Sequence, residues 1–527
     1  MKRFFLSLTA LLSITLSGCI FSNTNGNNDP VDPDDPADPP IDENKIANPD
    51  FAPIIRNSKS QVVYTDLFNL NNKISIDIEI DRSELEQIQE DNYQGAKPEM
   101  YRVAKHVSIS MVNGDNTFTW DFDNVGIRQK GNTSRQSIFK DDKVNTHNHF
   151  KLSFDETFTD TTMYDSLYIS KHGNEDYADR EFLGLSGIDF KWNKNYDQTH
   201  IKEIYSSHMF RSAGIMYQQV GLSTIKMIYD DNQVADFGLC NIYEPTSKSI
   251  IKRNLSSEQK YVNMPTWKEE KDGTFGVSGK KYGDLYKCTY GRGNGFSGSG
   301  ADLSVTSTSE NRVGVKTDIY GNNIPAYERK TNTDTAYNDG LIKNLSSTLS
   351  SNGYAEIDQI VDLKYFAIEE AVAFFVGNPD SFRYNYNNTL LYFRRTDGKM
   401  IIMPMDGDRV LGIGKDWDKG TSFCANSYVT PLYRGDVNYN DTHNRLFKKT
   451  LFASSENECQ KIFKEYIGLI RESEWVKNAT FTSLFNIAKA TYSIHDFTLE
   501  ACYDNMAFAD YISVKIEASK DLSIKNV

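Results

Sequence analysis

Residues 377–412 read GNPDSFRYNYNNTLLYFRRTDGKMIIMPMDGDRVLG, and the fold class hangs on this stretch. The run before it, Val361–Val376, is apolar nearly all round, which predicts a buried helix ending at Gly377. Thr389–Phe393 and Lys399–Met405 read as two strands joined by a tight turn at Asp397-Gly398. Counting outward from that turn sets Asn388 and Asp406 opposite one another at the open end. As a direct pair on one face, their Cβ atoms would lie roughly 4.5–5.5 Å apart. Asp380 arrives at the same end from the preceding helix, and Asp408 follows Asp406 by two residues. Oxygen-bearing side chains thus converge with no soft ligand among them. Hard divalent cations such as Mg²⁺ prefer such sites, especially with phosphate oxygens completing the shell.

Working outward, the region before residue 200 reads as sheet. Lys73–Asp81 alternates, with Ile74, Ile76, Ile78 and Ile80 on one face of a half-buried strand. Ser83 caps a short helical stretch, Glu84–Glu90. Val103–Val112 and Thr117–Phe122 flank Asn113-Gly114, a hairpin signal. Val125–Arg128 and Phe150–Phe154 read as further strands. Helical patterns begin at Ile201–Ala213 and dominate after Asp358, continuing in short pieces from Asn444 to Ser519. The expectation is an α+β, two-lobed chain, sheet-rich over 51–200 and mainly helical over 201–527, with a ligand cleft between the lobes.

The N-terminus points to export. Met1-Lys2-Arg3 is followed by an uncharged apolar run, Phe4–Leu16. That run is too short to span a bilayer, which takes roughly 20 apolar residues. It ends in Leu16-Ser17-Gly18-Cys19, which resembles a bacterial lipobox; the resemblance implies cleavage after residue 18 and lipidation of Cys19. Residues 19–50 carry repeated Asp-Pro pairs and read as a solvated acidic spacer. The chain has a net charge of −14, and loss of Lys2 and Arg3 with the leader makes it more negative still. That balance argues against nonspecific binding to nucleic acid or anionic lipid. Besides Cys19, the cysteines are Cys240, Cys288, Cys424, Cys459 and Cys502, an odd set without CxxC spacing. They indicate neither a disulfide framework nor a structural zinc site.

The order Asp380, Asn388, hairpin, Asp406 is that of a protein-kinase catalytic core, although no His-Arg-Asp or Asp-Phe-Gly string accompanies it. The blocks Gly377–Ser381, Asn388–Tyr392 and Pro404–Asp408 resemble the spore coat protein H (CotH) kinase family. So do Val125–Arg135 leading to Phe150–Asp155, then Arg211–Ile215, Ile242–Glu244 and Gly283–Lys287, in that order. The similarity covers roughly residues 60–480. It implies an atypical protein-kinase-like fold at the cell envelope, transferring the ATP γ-phosphate to protein Ser or Thr with Mg²⁺ or Mn²⁺. Asp380 would be the catalytic Asp, Asp406 the principal metal ligand, and Asn388 and Asp408 further ligands. Lys151 and Lys287 are the candidates to meet phosphate oxygens, with Glu244 orienting one of them. The family shows Trp before its Asp-x-Asp; here Met405 stands there, which bears on nucleotide packing.

Other features read more plainly. Gly291–Gly300 is a flexible insertion, His147-Asn148-His149 are surface residues, and Asp416-Trp417-Asp418 is a solvated acidic loop. Two rival classes stay open. A non-catalytic adhesin or assembly protein would keep the fold for binding. A carbohydrate-active enzyme would set Asp380 across an open cleft from Asp406 or Asp408, at roughly 5–9.5 Å.

Overall fold

The structure is a computed structural model. It describes residues 46–93, 100–131, 134–230, 233–247, 250–251, 283–288, 339–351, 353–386, 388–414, 429–433, 445–493, 497–501 and 504–525, with short strands between 297 and 331. The leader, Cys19, most of the spacer, Gly291–Phe296 and Asp416–Asp418 lie outside the described residues. The fold is mixed α/β; its described residues form two large hydrophobic cores and a small third cluster around Val103, Phe158 and Tyr164.

The first core fills a closed barrel. Its strands are β1 (Lys73–Ile80), β2 (Arg102–Asn113), β3 (Asn116–Lys130), β6 (His149–Ser153), β7 (Gly187–Trp192), β8 (Val220–Tyr229) and β9 (Gln233–Tyr243). A small flap, β4 (Phe139–Lys140) and β5 (Lys143–Val144), interrupts the run. The order around the barrel is β1-β2-β3-β6-β7-β9-β8, with β8 returning parallel to β1. Closure removes the strand edges that an open sheet would expose. The isoleucines at 74, 76, 78 and 80 are at most 2% exposed and point inward; burial of each is worth roughly 1.5–3 kcal/mol. Sheet structure therefore runs past residue 200: the barrel continues to Tyr243, and a second sheet follows within the part expected to be mainly helical. The turn joining β2 to β3 also differs from expectation. Asn113 pairs with Asn116, so Gly114-Asp115 make the turn, with Gly114 at φ 60°. Asn113 instead spends its side chain inside, donating to Asn72 Oδ1 (2.6 Å) and the Ile54 carbonyl (2.9 Å).

Helices α1 (Arg82–Tyr93) and α2 (Ser166–His172) decorate the barrel, and α3 (Lys202–Ser212) leads from β7 to β8. The second core gathers around a further sheet and the helices after it. That sheet holds β10 (Asp284–Cys288), β11 (Ser297–Gly298), β12 (Thr308–Ser309), β13 (Arg312–Thr317), β14 (Asn323–Arg329), β15 (Thr389–Phe393) and β16 (Met400–Pro404). The helices are α4 (Gly340–Ser351), α5 (Tyr354–Asp358), α6 (Leu363–Val376), α7 (Phe382–Asn385), α8 (Arg445–Lys449), α9 (Glu458–Glu472), α10 (Asn478–Thr491) and α11 (Phe508–Ala518). α6 is the expected buried helix. Asp362 caps it by accepting from the Tyr365 N–H (2.9 Å), and Gly377 ends it at φ 64°. Among the described residues no helix is long and apolar enough to cross a membrane. Cys240, Cys288 and Cys459 are free and buried, while Cys424 and Cys502 lie outside the described residues.

One phenol fastens the two cores together. Tyr492, at the end of α10, accepts from the Ile74 N–H (3.0 Å) and donates to the Leu222 carbonyl (2.7 Å), both on barrel strands. Tyr492→Phe leaves a buried strand amide and carbonyl without this partner, so it should lower unfolding stability by about 1–3 kcal/mol in urea titration. An unchanged midpoint would show that the hydroxyl carries no such tie.

Candidate functional site

The site lies where the ends of β7 and β9, the first turn of α3 and the loops around β15–β16 meet. Asp197 starts α3 by taking the Lys202 N–H on Oδ2 (3.1 Å) and the Thr199 N–H on Oδ1 (3.0 Å). This fixes the first turn and aims Glu203 inward, 3% exposed. Glu203 Oε1 accepts from the Gly407 N–H (2.8 Å), while Oε2 accepts from the Tyr243 hydroxyl (2.6 Å) and Asn241 Nδ2 (3.2 Å). Gly407 has no room for a larger residue, since a Cβ there would lie 2.7 Å from the Tyr217 hydroxyl. Lys191, on β7, is ion-paired through Nζ with Asp406 Oδ1 and sits 4.9 Å over the Tyr243 ring. Lys130, at the end of β3, pairs with Asp189 Oδ2 (2.7 Å) and lies 5.2 Å over the same ring.

These charges tune one another. Burial opposes the charge on Lys191, but Asp406, Asp408 and Glu203 outweigh it and hold the ammonium protonated. Burial likewise pushes the Asp406 carboxyl up, and Lys191, then Lys130, bring it below the usual carboxylate range. Glu203 goes the other way: burial dominates and pushes it up to about 7, against the pull of Lys191. Asp408 is raised by burial and by the neighbouring Asp406.

The hairpin register differs from the expected one. Thr389 pairs with Pro404 and Phe393 with Met400, and the Arg394 N–H donates to the Lys399 carbonyl (3.0 Å), so the connection is the four-residue loop 395–398. The cause is local: Asp397 accepts from the Lys399 N–H (3.0 Å) and from Arg394 Nε (3.1 Å), and so belongs to a wider loop than a two-residue turn. As a result the Asn388 carbonyl takes the Met405 N–H (2.9 Å), and Asp406 falls one residue beyond its expected partner. Both Asn388 (φ 50°) and Asp406 (φ 57°) turn through the left-handed region, which Asn and Asp tolerate best among residues with a side chain. Asn388 Nδ2 donates to Asp380 Oδ2 (3.1 Å). Asn378 Oδ1 accepts from the Asp380 N–H (2.9 Å), and Asn378 Nδ2 reaches the Asp406 carbonyl at 3.4 Å. Asp380 and Asn388 are thus joined side chain to side chain, and Asn378 ties their loop to Asp406.

The structure redistributes the other candidates. Lys151 stands in a cross-strand row between Arg128 and Asp189. Lys287, on β10, adds to the field that lowers Asp406, behind Lys191 and Lys130. Glu244 is fully buried, its Oε2 accepting from the Gln219 N–H (3.0 Å). The lysine that meets Asp406 is Lys191, and the carboxylate that braces the aspartate turn is Glu203; the sequence reading named neither. Neither stands out in the sequence, since Gly187–Trp192 also carries Asp189, and Ile201–Ala213 also carries Lys202, His208 and Arg211. His149 is not a surface residue. It is 3% exposed, and burial, then Lys191 and Lys130, hold its pKa well below the ordinary value. His147 stacks on Trp192 at 4.2 Å. A small, partly open pocket lies here, lined by His149, Lys191, Trp192, Lys194, Glu203 and Asp408 among others.

Among the described residues no group of three or more His, Cys, Asp or Glu side chains is arranged to hold a metal ion. The oxygen donors come as the Asp380–Asn388 pair and the Asp406–Asp408 pair, with the Lys191 ammonium seated on Asp406. The chain matches no protein-family model, and no curated protein matches it.

The raised Glu203 has a measurable consequence. A carboxyl whose folded pKa exceeds its unfolded value of 4.5 contributes stability that is fully present below 4.5 and fades as pH rises through about 7. The full contribution is roughly 3 kcal/mol. Glu203→Gln should therefore flatten the stability profile between pH 4.5 and 7. A variant with the wild-type slope would place that titration elsewhere.

Proposed function

We propose that this chain is a lipid-tethered, extracytoplasmic protein kinase of the CotH type. It transfers the terminal phosphate of ATP to Ser or Thr of a protein acceptor, with Mg²⁺ or Mn²⁺. The observation that carries the reading is the Lys191–Asp406 ion pair with Glu203 set behind it. A strand lysine, a glutamate on the following helix, then Asp380, Asn388 and Asp406 reproduce in chain order the parts a protein kinase uses.

Lys191, released from Asp406, would meet the donor's phosphate oxygens. Glu203 would hold the Gly407 amide and so fix the direction of Asp406 and Asp408. Asp380, oriented by Asn388 and Asn378, would accept the acceptor hydroxyl's proton. The all-oxygen set of Asp406, Asn388 and Asp408 suits a hard cation. Such a cation, when bound, would neutralise charge on the phosphates. A two-carboxylate sugar hydrolase is less well supported, because Asp406 is engaged by an ammonium and Asp380 by an amide. The adhesin reading predicts no nucleotide response.

The test is thermal unfolding with and without ATP and Mg²⁺, for wild type, Lys191→Ala, Asp406→Ala and Asp380→Ala. Wild type should gain about 2.7 kcal/mol at 100-fold saturation. Lys191→Ala and Asp406→Ala should lose the gain, while Asp380→Ala should keep it and lose phosphoryl transfer. A folded wild type with no metal-dependent shift sinks the kinase reading in favour of the adhesin.

A further inference from the structure

Arg383 lies on α7, between Asp380 and Asn388 along the chain, and is only 1% exposed. A guanidinium keeps its charge, so burying it requires a counter-charge and acceptors for its N–H groups. Glu370, on α6, supplies the charge, its Oε2 accepting from Nη1 at 3.4 Å. Nη2 donates to the Pro431 carbonyl (3.1 Å) and to the Tyr433 carbonyl (3.4 Å). The guanidinium also lies 5.2 Å from the centre of the Phe452 ring and 5.8 Å from that of Phe447, within reach of a cation–π attraction.

One side chain thus joins three pieces of chain: the loop that carries Asp380 and Asn388, helix α6 before it, and the segment 429–433. That segment is itself anchored, since the Leu432 carbonyl accepts the Lys525 N–H (3.1 Å). Its oxygens that meet Arg383 are main-chain atoms, so the contact fixes backbone to backbone. Glu369 lines the same pocket as Arg383 and Glu370, together with Asn378, Ser381 and Asn388, the neighbours of Asp380. Burial, then Glu370, push the Glu369 carboxyl well above the ordinary range. Glu369 is therefore held neutral, and the charge that meets Arg383 is that of Glu370. This pocket shares no wall residue with the one beside Lys191.

We infer that Arg383 is a positioning residue for phosphoryl transfer: through Glu370 and the Pro431 and Tyr433 carbonyls it locks the loop that sets Asp380 toward the acceptor hydroxyl. The inference rests on the kinase reading and deepens it. Segment 429–433 becomes part of the acceptor half of the site, while donor binding stays with Lys191 and Asp406.

The experiment measures phosphoryl transfer from ATP to dephosphorylated casein, and thermal unfolding with ATP and Mg²⁺, for the full chain, Arg383→Ala and Glu370→Gln. Arg383→Ala should lower kcat roughly a hundredfold, the scale of a catalytic group displaced by about 1 Å, with KM for ATP and the ATP shift close to wild type. Guanidinium chloride at low millimolar concentration should restore part of that rate, and sodium chloride should not. A merely destabilised domain gives no such rescue. Glu370→Gln, which keeps an acceptor oxygen and removes the charge, should lower kcat in the same direction, and it carries the test where Arg383→Ala does not fold. A folded variant with the wild-type kcat overturns the inference and leaves the kinase reading standing. So does a variant that loses the ATP shift along with its rate, since the clamp would then serve the donor side. A wild type silent in both assays removes the kinase reading and the inference with it.

Discussion

Burying the Lys191 ammonium strips it of water, a loss of several kcal/mol that only a close counter-charge offsets. Asp406 supplies that charge, and everything around the pair keeps it in place. The barrel delivers Lys191 on β7, the hairpin delivers Asp406, and Glu203 holds the amide of the residue between Asp406 and Asp408. Tyr243 sits under both Lys191 and Lys130 and gives its hydroxyl to Glu203. Removing Asp406 takes the counter-charge from the Lys191 ammonium, and removing Glu203 takes the acceptor from the Gly407 amide and the Tyr243 hydroxyl, which is why these groups form one unit.

The backbone at the hairpin pays for this arrangement with two residues in the left-handed region. Asn388 and Asp406 each cost more there than glycine would, and they persist because hydrogen bonds over-determine them. The Met405 amide is fixed on the Asn388 carbonyl, and the Gly407 amide on Glu203. Between those anchors Asp406 has little freedom, so its carboxylate is aimed before any ligand arrives. Preorganisation of this kind is what charge-stabilising sites require.

The barrel and the second sheet keep separate hydrophobic interiors while sharing one polar seam. The outer face of β3, β6 and β7 carries Arg128, Lys151 and Asp189 in one row, with Lys130 and Lys191 two residues further along their strands. Strand alternation puts these charges on the face opposite the barrel's core. Along this seam lies the pocket lined by Trp192 and His149.

Much of this was legible in the residues themselves. Alternating isoleucines dictated β1, the all-apolar run dictated α6, and Gly377 its end, because period and φ preference are local properties. Asp380, Asn388, Asp406 and Asp408 stood out because a hairpin and its flanks are short-range objects. What lay beyond the sequence was set by distance along the chain. Asp397 chose its hydrogen bonds within a four-residue loop and shifted the register. Lys191 met an aspartate 215 residues away, and Glu203 an amide 204 residues away. Lys151 and Lys287 look as suitable as Lys191 when read singly. Only the closure of the barrel, which turns one face of β7 toward the hairpin, decides which ammonium reaches the carboxylate.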